Sequence, residues 1–414
     1  MKRVIPFIAI SLFILLNSCQ TSKTKETETW VSAQGPLRLN KATSWLADMN
    51  GNDIHNLFDF RTLPDNQVLA FPIKPLESDV IVGVDEKNSK IDAKYHSRVR
   101  SACVLYIKEY QWGDGINKIC PGEAESLLTP EQVSIVDYSV SFSGETVLYS
   151  HKNALGGTDI WSIGREGKNN HLLIECRGNK CGNPTLSPDE QAMVFSKTVI
   201  SNTPTVVLQI GDTKIQLDDV QISQHSQFSW SWSGRFISYT NKYGNIEIFN
   251  VENQRLVKDL LPEKSIGNWA KYSDEMIISY PIFWGGIPNV QVDSYNLRSG
   301  EVRKVTGGGT EPIEFGLPYM FYPTKSVIIP FRLQSGGYSM QLCHVNSEGY
   351  CKPITNEQNL SYSPFGFDPS GRYFLYQSFE IGKSDGISQV GLWDEQNSEH
   401  LILARNARNP QWLP

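Results

Sequence analysis

A short pattern that recurs at a nearly constant interval constrains the fold of this 414-residue chain more than any other feature. In each copy a tight turn precedes a short apolar strand, as in SFSGETVLYSH (141–151) and DPSGRYFLYQS (368–378). The segments that lead into these turns begin near Tyr138, Asn183, Ser226, Trp269, Leu317, Ser363 and Asn409. Their starts are 43 to 48 residues apart, and an interval of this length is typical of one blade of a β-propeller.

The composition favours an all-β fold. Hydrophobic residues make up 40% of the chain and charged residues 20%, as in a folded globular protein. Turn-forming residues, 32 Gly and 22 Pro, occur throughout, and few stretches have apolar residues at helical spacing. Four short strands per repeat bury both faces of their sheet only when the repeats stack radially. The net charge of −6, without a long run of either sign, argues against a nucleic-acid partner.

The two ends of the repeat region complement each other. The last copy, NPQWLP at 409–414, stops after one strand, whereas residues 102–128 parallel the later part of the copy at 146–174. A C-terminal strand that joins the N-terminal blade would close the ring and cover its edges. The sequence therefore predicts a seven-bladed β-propeller of four-stranded blades. Six or eight blades are the alternatives, because residues 67–76 contain a strand-like segment that fits no assigned blade.

The repeat resembles that of the TolB-type propellers, whose usual form is Ser-Pro-Asp-Gly, an apolar strand, and then Asp-Ile-Trp or Asp-Ile-Tyr. Here 187–189 are Ser-Pro-Asp and 159–161 are Asp-Ile-Trp. The resemblance covers about residues 100 to 414, with two strong copies and several degraded ones. It implies a propeller fold and, more loosely, a periplasmic scaffold, a peptidoglycan-associated partner or a sensor module, since enzymes are a minority of the family.

The start of the chain resembles the export signal of bacterial lipoproteins. A basic start precedes a short apolar run that ends in Leu-Asn-Ser-Cys at 16–19, similar to a lipobox. The resemblance implies that residues 1–18 are a cleaved signal peptide and that Cys19 carries acyl chains such as palmitate, which anchor the protein to the membrane. Gln20 follows the cysteine in place of the Asp that retains such lipoproteins at the inner membrane, so the resemblance also implies the outer membrane. The protein is expected to face the periplasm, and the cell exterior is the alternative. The alternative is an ordinary cleaved signal with a chance cysteine.

Three further segments follow the signal. Residues 19–29 are polar and predict a flexible tether. Residues 30–100 do not fit the repeat and are interpreted as a lead-in or cap, with a short helix around 43–49. Residues 101–414 form the predicted propeller domain.

Six cysteines remain after Cys19, and an even number in an exported chain indicates disulfides. Six cysteines permit 15 connectivities. Proximity in sequence favours the pairs Cys103–Cys120, Cys176–Cys181 and Cys343–Cys351. The last pair is expected to face across a hairpin, because a Ser-Glu-Gly turn lies between its members. Free thiols are the alternative.

Catalytic motifs are weak, and neither a cofactor nor a metal is expected. The seven histidines show no His-x-His or His-x-x-x-His spacing. Gly-x-Ser-x-Gly occurs once, around Ser384, but between two strands instead of before a helix, so it does not fit a nucleophile elbow. The alternative is a metal-dependent, lyase-type enzyme that acts on an oligosaccharide through histidines clustered at the axis.

Aromatic residues in predicted loops are the candidate binding face. Loops between second and third strands emerge on one face of a propeller, and they carry Tyr110, Trp112, Phe283, Trp284 and Phe379. Such rings suit flat sugar faces or protein contacts, although each ring alone is slightly better explained by shielding of the blade cores. The hypothesis is a non-catalytic outer-membrane lipoprotein whose propeller face binds a protein partner or an envelope glycan.

Overall fold

A computed structural model describes residues 102–414 and the backbone of six strands between residues 26 and 85. The description of 102–414 omits 121–122, 200–203, 218–219, 221, 223–225, 258–260, 285–286, 307–311, 334–338, 346–347, 358, 383–387 and 396. The predicted signal peptide and Cys19 lie outside the described residues.

Two small antiparallel sheets precede the repeat region. Their strands are β1 (Glu26–Val31), β2 (Leu37–Asn40), β3 (Trp45–Ala47), β4 (Phe58–Thr62), β5 (Gln67–Pro72) and β6 (Val80–Asp85). The sheet orders are β1-β6-β3 and β2-β5-β4. The helix predicted around 43–49 is wrong, because β3 pairs with β6 there. Strand β1 begins inside the segment that the sequence analysis assigned to the tether.

Residues 103 to 413 form short strands arranged in consecutive sheets. The first of these strands are β7 (Cys103–Tyr110), β8 (Gly113–Ile119), β9 (Ser126–Leu127), β10 (Ile135–Val140), β11 (Thr146–Lys152), β12 (Thr158–Gly164), β13 (His171–Ile174), β14 (Lys180–Leu186), β15 (Ala192–Thr198), β16 (Thr205–Ile210) and β17 (Thr213–Leu217). The middle strands are β18 (Ser229–Trp230), β19 (Phe236–Thr240), β20 (Ile246–Asn250), β21 (Arg255–Leu256), β22 (Ile266–Trp269), β23 (Glu275–Trp284), β24 (Ile287–Asn296) and β25 (Val302–Lys304). The last strands are β26 (Pro312–Phe315), β27 (Tyr319–Phe321), β28 (Ser326–Leu333), β29 (Gln341–Val345), β30 (Cys351–Pro353), β31 (Leu360–Phe367), β32 (Tyr373–Glu380), β33 (Gln389–Asp394), β34 (Glu399–Arg405) and β35 (Ala407–Leu413).

The fold is an all-β propeller, but the predicted division into seven four-stranded blades is wrong. Five separate sheets have the size of a blade, four of them with four strands and one with five. Strands β10 to β17 form a single eight-stranded sheet instead of two blades. The reason is a parallel pairing of Thr158 with Lys180, which joins β12 to β14. The Thr158 hydroxyl also donates a hydrogen bond to the Cys181 carbonyl, 2.6 Å away, so hydrogen bonding continues across the predicted blade boundary.

The first and last parts of the propeller share one sheet, as the sequence predicts. Strand β35 pairs antiparallel with β7, and Gln411 lies opposite Leu105 and Trp412 opposite Val104. The remaining strands of this sheet are β8 and β9. The ring is therefore closed by hydrogen bonds between segments about three hundred residues apart.

The recurring turn explains why the sequence pattern repeats. The turn after β31 is representative: Asp368 donates its N–H to the Tyr373 carbonyl (2.8 Å), and Gly371 donates to the Asp368 carbonyl (3.1 Å). Gly371 has a φ of +75°, a conformation that glycine adopts without the strain that a side chain would cause. The turn brings the inner strand of each sheet back antiparallel to its second strand.

The core lies between neighbouring sheets, because both faces of the second strands are buried. In β11, Val147, Leu148 and Tyr149 are all 1% exposed or less. Val147 and Tyr149 pack in a cluster with Leu105, whereas Leu148 packs with Phe195 on the other side. Adjacent sheets thus bury each other, and so do the two halves of the eight-stranded sheet. No helix in the described part of the chain is long and apolar enough to cross a membrane.

The three predicted disulfides are confirmed. Cys103–Cys120, Cys176–Cys181 and Cys343–Cys351 have Cα–Cα distances of 4.2, 6.2 and 5.4 Å. The first links β7 to the residue after β8 in the sheet that closes the ring. The third is diagonal across its hairpin, since Cys351 lies opposite Val345 and Cys343 lies opposite Pro353.

Candidate functional site

An axial cavity of about 570 Å³ is enclosed by the inner strands of the sheets. Its walls come from β10, β14, β18, β22, β27, β31 and β35 and from the turns that follow several of them. Because each inner strand contributes a few side chains, the cavity collects residues that are far apart in the sequence.

Tryptophans in the cavity wall connect neighbouring inner strands. The indole N–H of Trp230 donates to the Thr185 carbonyl (3.1 Å), and that of Trp269 to the Ser229 carbonyl (3.0 Å). At the closure, Trp412 donates to the Gly366 carbonyl (3.0 Å). These bonds explain the aromatic residues in the segments that enter each turn. Since the polar atoms of the rings are occupied, the rings offer apolar surface to a ligand.

Amide side chains add hydrogen-bonding groups to the wall. Asn183 and Asn409 both line the cavity and both have a φ of +51°, at irregularities in the pairing of β14 and β35. Asparagine tolerates this left-handed conformation better than most residues. Gln227, which is exposed, lines the cavity as well. None of these three side chains hydrogen-bonds another residue that the structure describes.

Aromatic rings gather at the end of the cavity where the inner strands turn. Trp232 contacts Phe142 edge-on, with 5.0 Å between ring centroids, and contacts Tyr272 in the same way at 5.0 Å. The three rings come from turns after three different inner strands. This end of the cavity is therefore predominantly apolar.

Two ionisable residues with opposite charges line the cavity, Asp137 and Lys271. Burial raises the pKa of Asp137, although hydrogen bonds from the Ser150 hydroxyl and the Asn183 N–H act in the opposite direction. Lys271 Nζ donates to the Phe367 carbonyl at 2.6 Å. Burial lowers the pKa of Lys271 to about 8, against the opposing effect of the Asp368 carboxylate.

The three predicted binding-face residues whose side chains are described, Tyr110, Trp112 and Phe379, do not line the axial cavity. Tyr110 and Trp112 do come together, stacked at the β7–β8 turn with a centroid distance of 4.7 Å and an angle of 4°. Phe379 is 39% exposed on β32. Phe283 and Trp284 end β23, and their side chains are not described. The convergence of these residues on one mouth stays a prediction.

A serine, histidine and glutamate cluster lies outside the cavity, between two sheets. Ser326 Oγ is 2.8 Å from His344 Nε2 and donates to Glu395 Oε1 at 3.0 Å. Glu395 Oε1 also lies 3.3 Å from the same His344 nitrogen. A catalytic triad instead places the acid at the other imidazole nitrogen, and Ser326 is only 6% exposed. The cluster therefore has the geometry of a contact between sheets, which sequence spacing had not indicated.

Motifs for other chemistry give no site in the described structure. Ser384 of the Gly-x-Ser-x-Gly match lies outside the described residues. Within the described ranges, no three His, Cys, Asp or Glu side chains are close enough together to hold a metal ion.

Lys271 was not among the residues predicted from the sequence, although the repeat contains a signal for it. Ser141, Ser231 and Ala270 occupy the same turn position, because each donates its N–H to the carbonyl five residues later. The residues that follow the two serines are the apolar Phe142 and Trp232, whereas the residue that follows Ala270 is Lys271. A charge at an otherwise apolar repeat position would have marked this lysine.

Comparisons with known proteins support the fold. No family model and no curated protein matches the sequence. Among solved structures, TolB from Acinetobacter baumannii is 13% identical, covers 86% of this chain over 82% of its own, and has a TM-score of 0.47. A putative TolB from Agrobacterium tumefaciens is 14% identical over 74% of this chain and 88% of its own, with a TM-score of 0.39.

A structure from a study of two prolyl endopeptidases is 11% identical and covers 75% of this chain, with a TM-score of 0.53. This chain spans 50% of that structure. At such identities a likeness concerns the fold and not the activity. The likeness with a TM-score above 0.5 agrees with the β-propeller that the sheet topology shows, and TolB proteins are among the structural neighbours.

Proposed function

We propose that this protein is a non-catalytic binding module of the bacterial cell envelope, an outer-membrane lipoprotein whose axial cavity receives part of a protein partner or an envelope glycan. The observation that carries the proposal is the cavity itself. Its wall has aromatic rings and amide side chains that hydrogen-bond no other described residue. Aromatic and amide surfaces of this kind bind ligands by stacking and hydrogen bonding. The cavity has the ordinary size of a ligand site.

Two features support an envelope location. The lipobox-like segment at 16–19 implies a membrane anchor at Cys19. The three disulfides suit an oxidising compartment, because cytosolic reductants keep thiols reduced.

The ionisable groups of the wall support a binding role over a catalytic one. The Asp137 carboxylate accepts a hydrogen bond from Ser150, and the Lys271 ammonium donates to a backbone carbonyl. The two residues lie at different ends of inner strands, Asp137 near the start of β10 and Lys271 just after β22. We therefore assign them to the positioning of a ligand and not to paired acid–base chemistry.

Filling the cavity should abolish partner binding without unfolding the protein. Gln227→Trp places a large ring in the cavity at an exposed position, where substitutions rarely change stability by more than about 0.5 kcal/mol. We expect at least about a tenfold loss of partner captured after crosslinking in intact envelopes, which corresponds to about 1.4 kcal/mol of binding free energy.

The matched control is Gln216→Trp, which makes the same exchange at an exposed position of β17. The control should capture partner normally, and both variants should keep the wild-type melting temperature. Normal capture by Gln227→Trp would overturn the assignment of the cavity. Loss of capture in Trp112→Ala alone would place the ligand at the loop aromatics instead.

A further inference from the structure

Lys271 is a half-buried cation without a carboxylate partner among the residues that the structure describes. It lies just after β22, in the wall of the axial cavity near Tyr272. Its one hydrogen bond to a described residue is the 2.6 Å bond to the Phe367 carbonyl. No carboxylate in the described ranges lies within ion-pair distance of Nζ.

The carboxylate that acts on Lys271 electrostatically is that of Asp368, and it is held by hydrogen bonds within its own turn. Asp368 accepts hydrogen bonds from the Ser370 N–H (3.1 Å), the Ser370 hydroxyl (2.5 Å) and the Tyr373 N–H (2.9 Å). These bonds fix its carboxylate in the turn after β31. Asp368 therefore influences Lys271 through space without pairing with it.

An ammonium group has three donors, and Lys271 uses one of them. Burial of a charged group is costly unless the group is paired and hydrogen-bonded. The two remaining donors belong to a residue that lines the cavity, where a ligand atom can reach them. A ligand carboxylate there would supply both the missing charge and the missing acceptors.

We propose that the Lys271 end of the axial cavity binds the carboxylate of an extended peptide segment of the partner, either a chain terminus or an acidic side chain. This inference rests on the proposed function, because it assumes that the partner enters the cavity. The rings of Phe142, Trp232 and Tyr272 surround the same end and would cover the apolar atoms next to that carboxylate.

The wall suits a peptide better than a sugar. The side chains of Asn183, Asn409 and Gln227 each offer both a donor and an acceptor, as a peptide group does. A carboxylate can accept hydrogen bonds from two neighbouring sugar hydroxyls at once, and Asp137 is the one acidic side chain in the described wall. Its carboxylate already accepts from Ser150 and from the Asn183 N–H.

The charge on Lys271 gives the interaction a definite pH dependence. Burial lowers the pKa of Lys271 to about 8, so the ammonium is present below that pH and is lost above it. The other charged or titratable groups around it are Asp368, Tyr272 and Tyr319, and burial raises the pKa of Tyr319 so that it stays neutral. A carboxylate ligand should therefore bind at pH 6.5 and be released toward pH 10.

The test uses the full chain, purified in detergent and immobilised, with two equimolar random mixtures of acetylated tetrapeptides. One mixture has free C-termini and the other has amidated C-termini. Mass spectrometry of the retained peptides should show about tenfold preference for the free acids at pH 6.5, as expected for one charge-assisted contact. The preference should disappear at pH 10.

Three variants isolate the charge. Lys271→Gln retains a donor for the Phe367 carbonyl but removes the charge, and it should lose the preference. Lys271→Arg should keep part of it at pH 10, because arginine stays protonated. Lys242→Met, at an exposed turn lysine, should behave as wild type.

The outcomes separate this inference from the proposed function. Equal retention of both mixtures, unchanged in Lys271→Gln, would overturn the carboxylate site while leaving the cavity as the binding site. A third outcome is that neither mixture is retained, while partner capture is still abolished by Gln227→Trp or displaced by glucuronate. This outcome would overturn the peptide assignment alone. Partner capture that Gln227→Trp leaves intact would overturn the proposed function itself.

Discussion

Removal of residues 407–414 should leave a chain that no longer unfolds cooperatively and that aggregates during purification. These residues form β35, the strand that completes the sheet of β7, β8 and β9. Its Ala407 and Leu413 are 1% and 0% exposed. Without β35, the edge of β7 and a strip of core would face solvent, and an open edge of this kind promotes association. Calorimetry and light scattering measure both effects.

A milder substitution tests the same contact in a protein that still folds. Leu413→Ala should lower the free energy of unfolding by about 2–5 kcal/mol, the usual cost of removing a fully buried leucine. The control Leu401→Ala, at a side chain that is 46% exposed on β34, should change it by less than about 0.5 kcal/mol. A truncated chain that melts as sharply and as high as the full chain would show that closure by β35 is dispensable.

Gly371→Ala should destabilise the protein by roughly 2–5 kcal/mol. Gly371 has a φ of +75°, and a Cβ there would lie 2.3 Å from the nearest ring atom of Phe321. Phe321 is 0% exposed and packs against the rings of Tyr272 and Phe367, so it has little room to move. The left-handed backbone costs about 1–2 kcal/mol for a residue with a Cβ, and overpacking adds roughly 1–3 kcal/mol.

Gly244→Ala separates these two costs. Gly244 has a φ of +84°, and a Cβ there would meet no atom within 4 Å, so its substitution should cost about 1–2 kcal/mol, the backbone cost alone. Denaturant titration gives both free energies of unfolding. Equal losses in the two variants would mean that the contact between Gly371 and Phe321 contributes nothing.

The periodic pattern was sufficient to predict the propeller and its closure, and the proximity of the cysteines in sequence predicted the three disulfides. Each repeat reflects the local structure of one blade. The partial copy at 409–414 contains one strand, which indicates that this strand completes a sheet formed by another part of the chain. The pairing of Gln411 with Leu105 confirms that interpretation. The division into blades was not predictable in the same way. The bridge from Thr158 to Lys180 depends on how closely two successive sheets approach, and no local sequence signal encodes that distance.

The candidate site was harder to predict than the fold. Aromatic residues in loops were predicted to form the binding face because glycines flank them. The stacked pair of Tyr110 and Trp112 instead lies on its own hairpin, over Gly115. The tryptophans that line the axial cavity lie in strands. An aromatic residue in a strand is ordinarily interpreted as part of the packed core, so these residues were not predicted to belong to a site. Lys271 could have been found by aligning the turns, because it replaces an aromatic residue at one position of the repeat.

Site-specific photocrosslinking tests most directly the claim that the axial cavity is the binding site. A benzophenone amino acid is placed either at Gln227, in the cavity wall, or at Trp112, in the β7–β8 turn, and intact envelopes are irradiated. If the cavity is the binding site, position 227 should give an adduct with the partner and position 112 should give none. An adduct from position 112 with none from position 227 would contradict this claim.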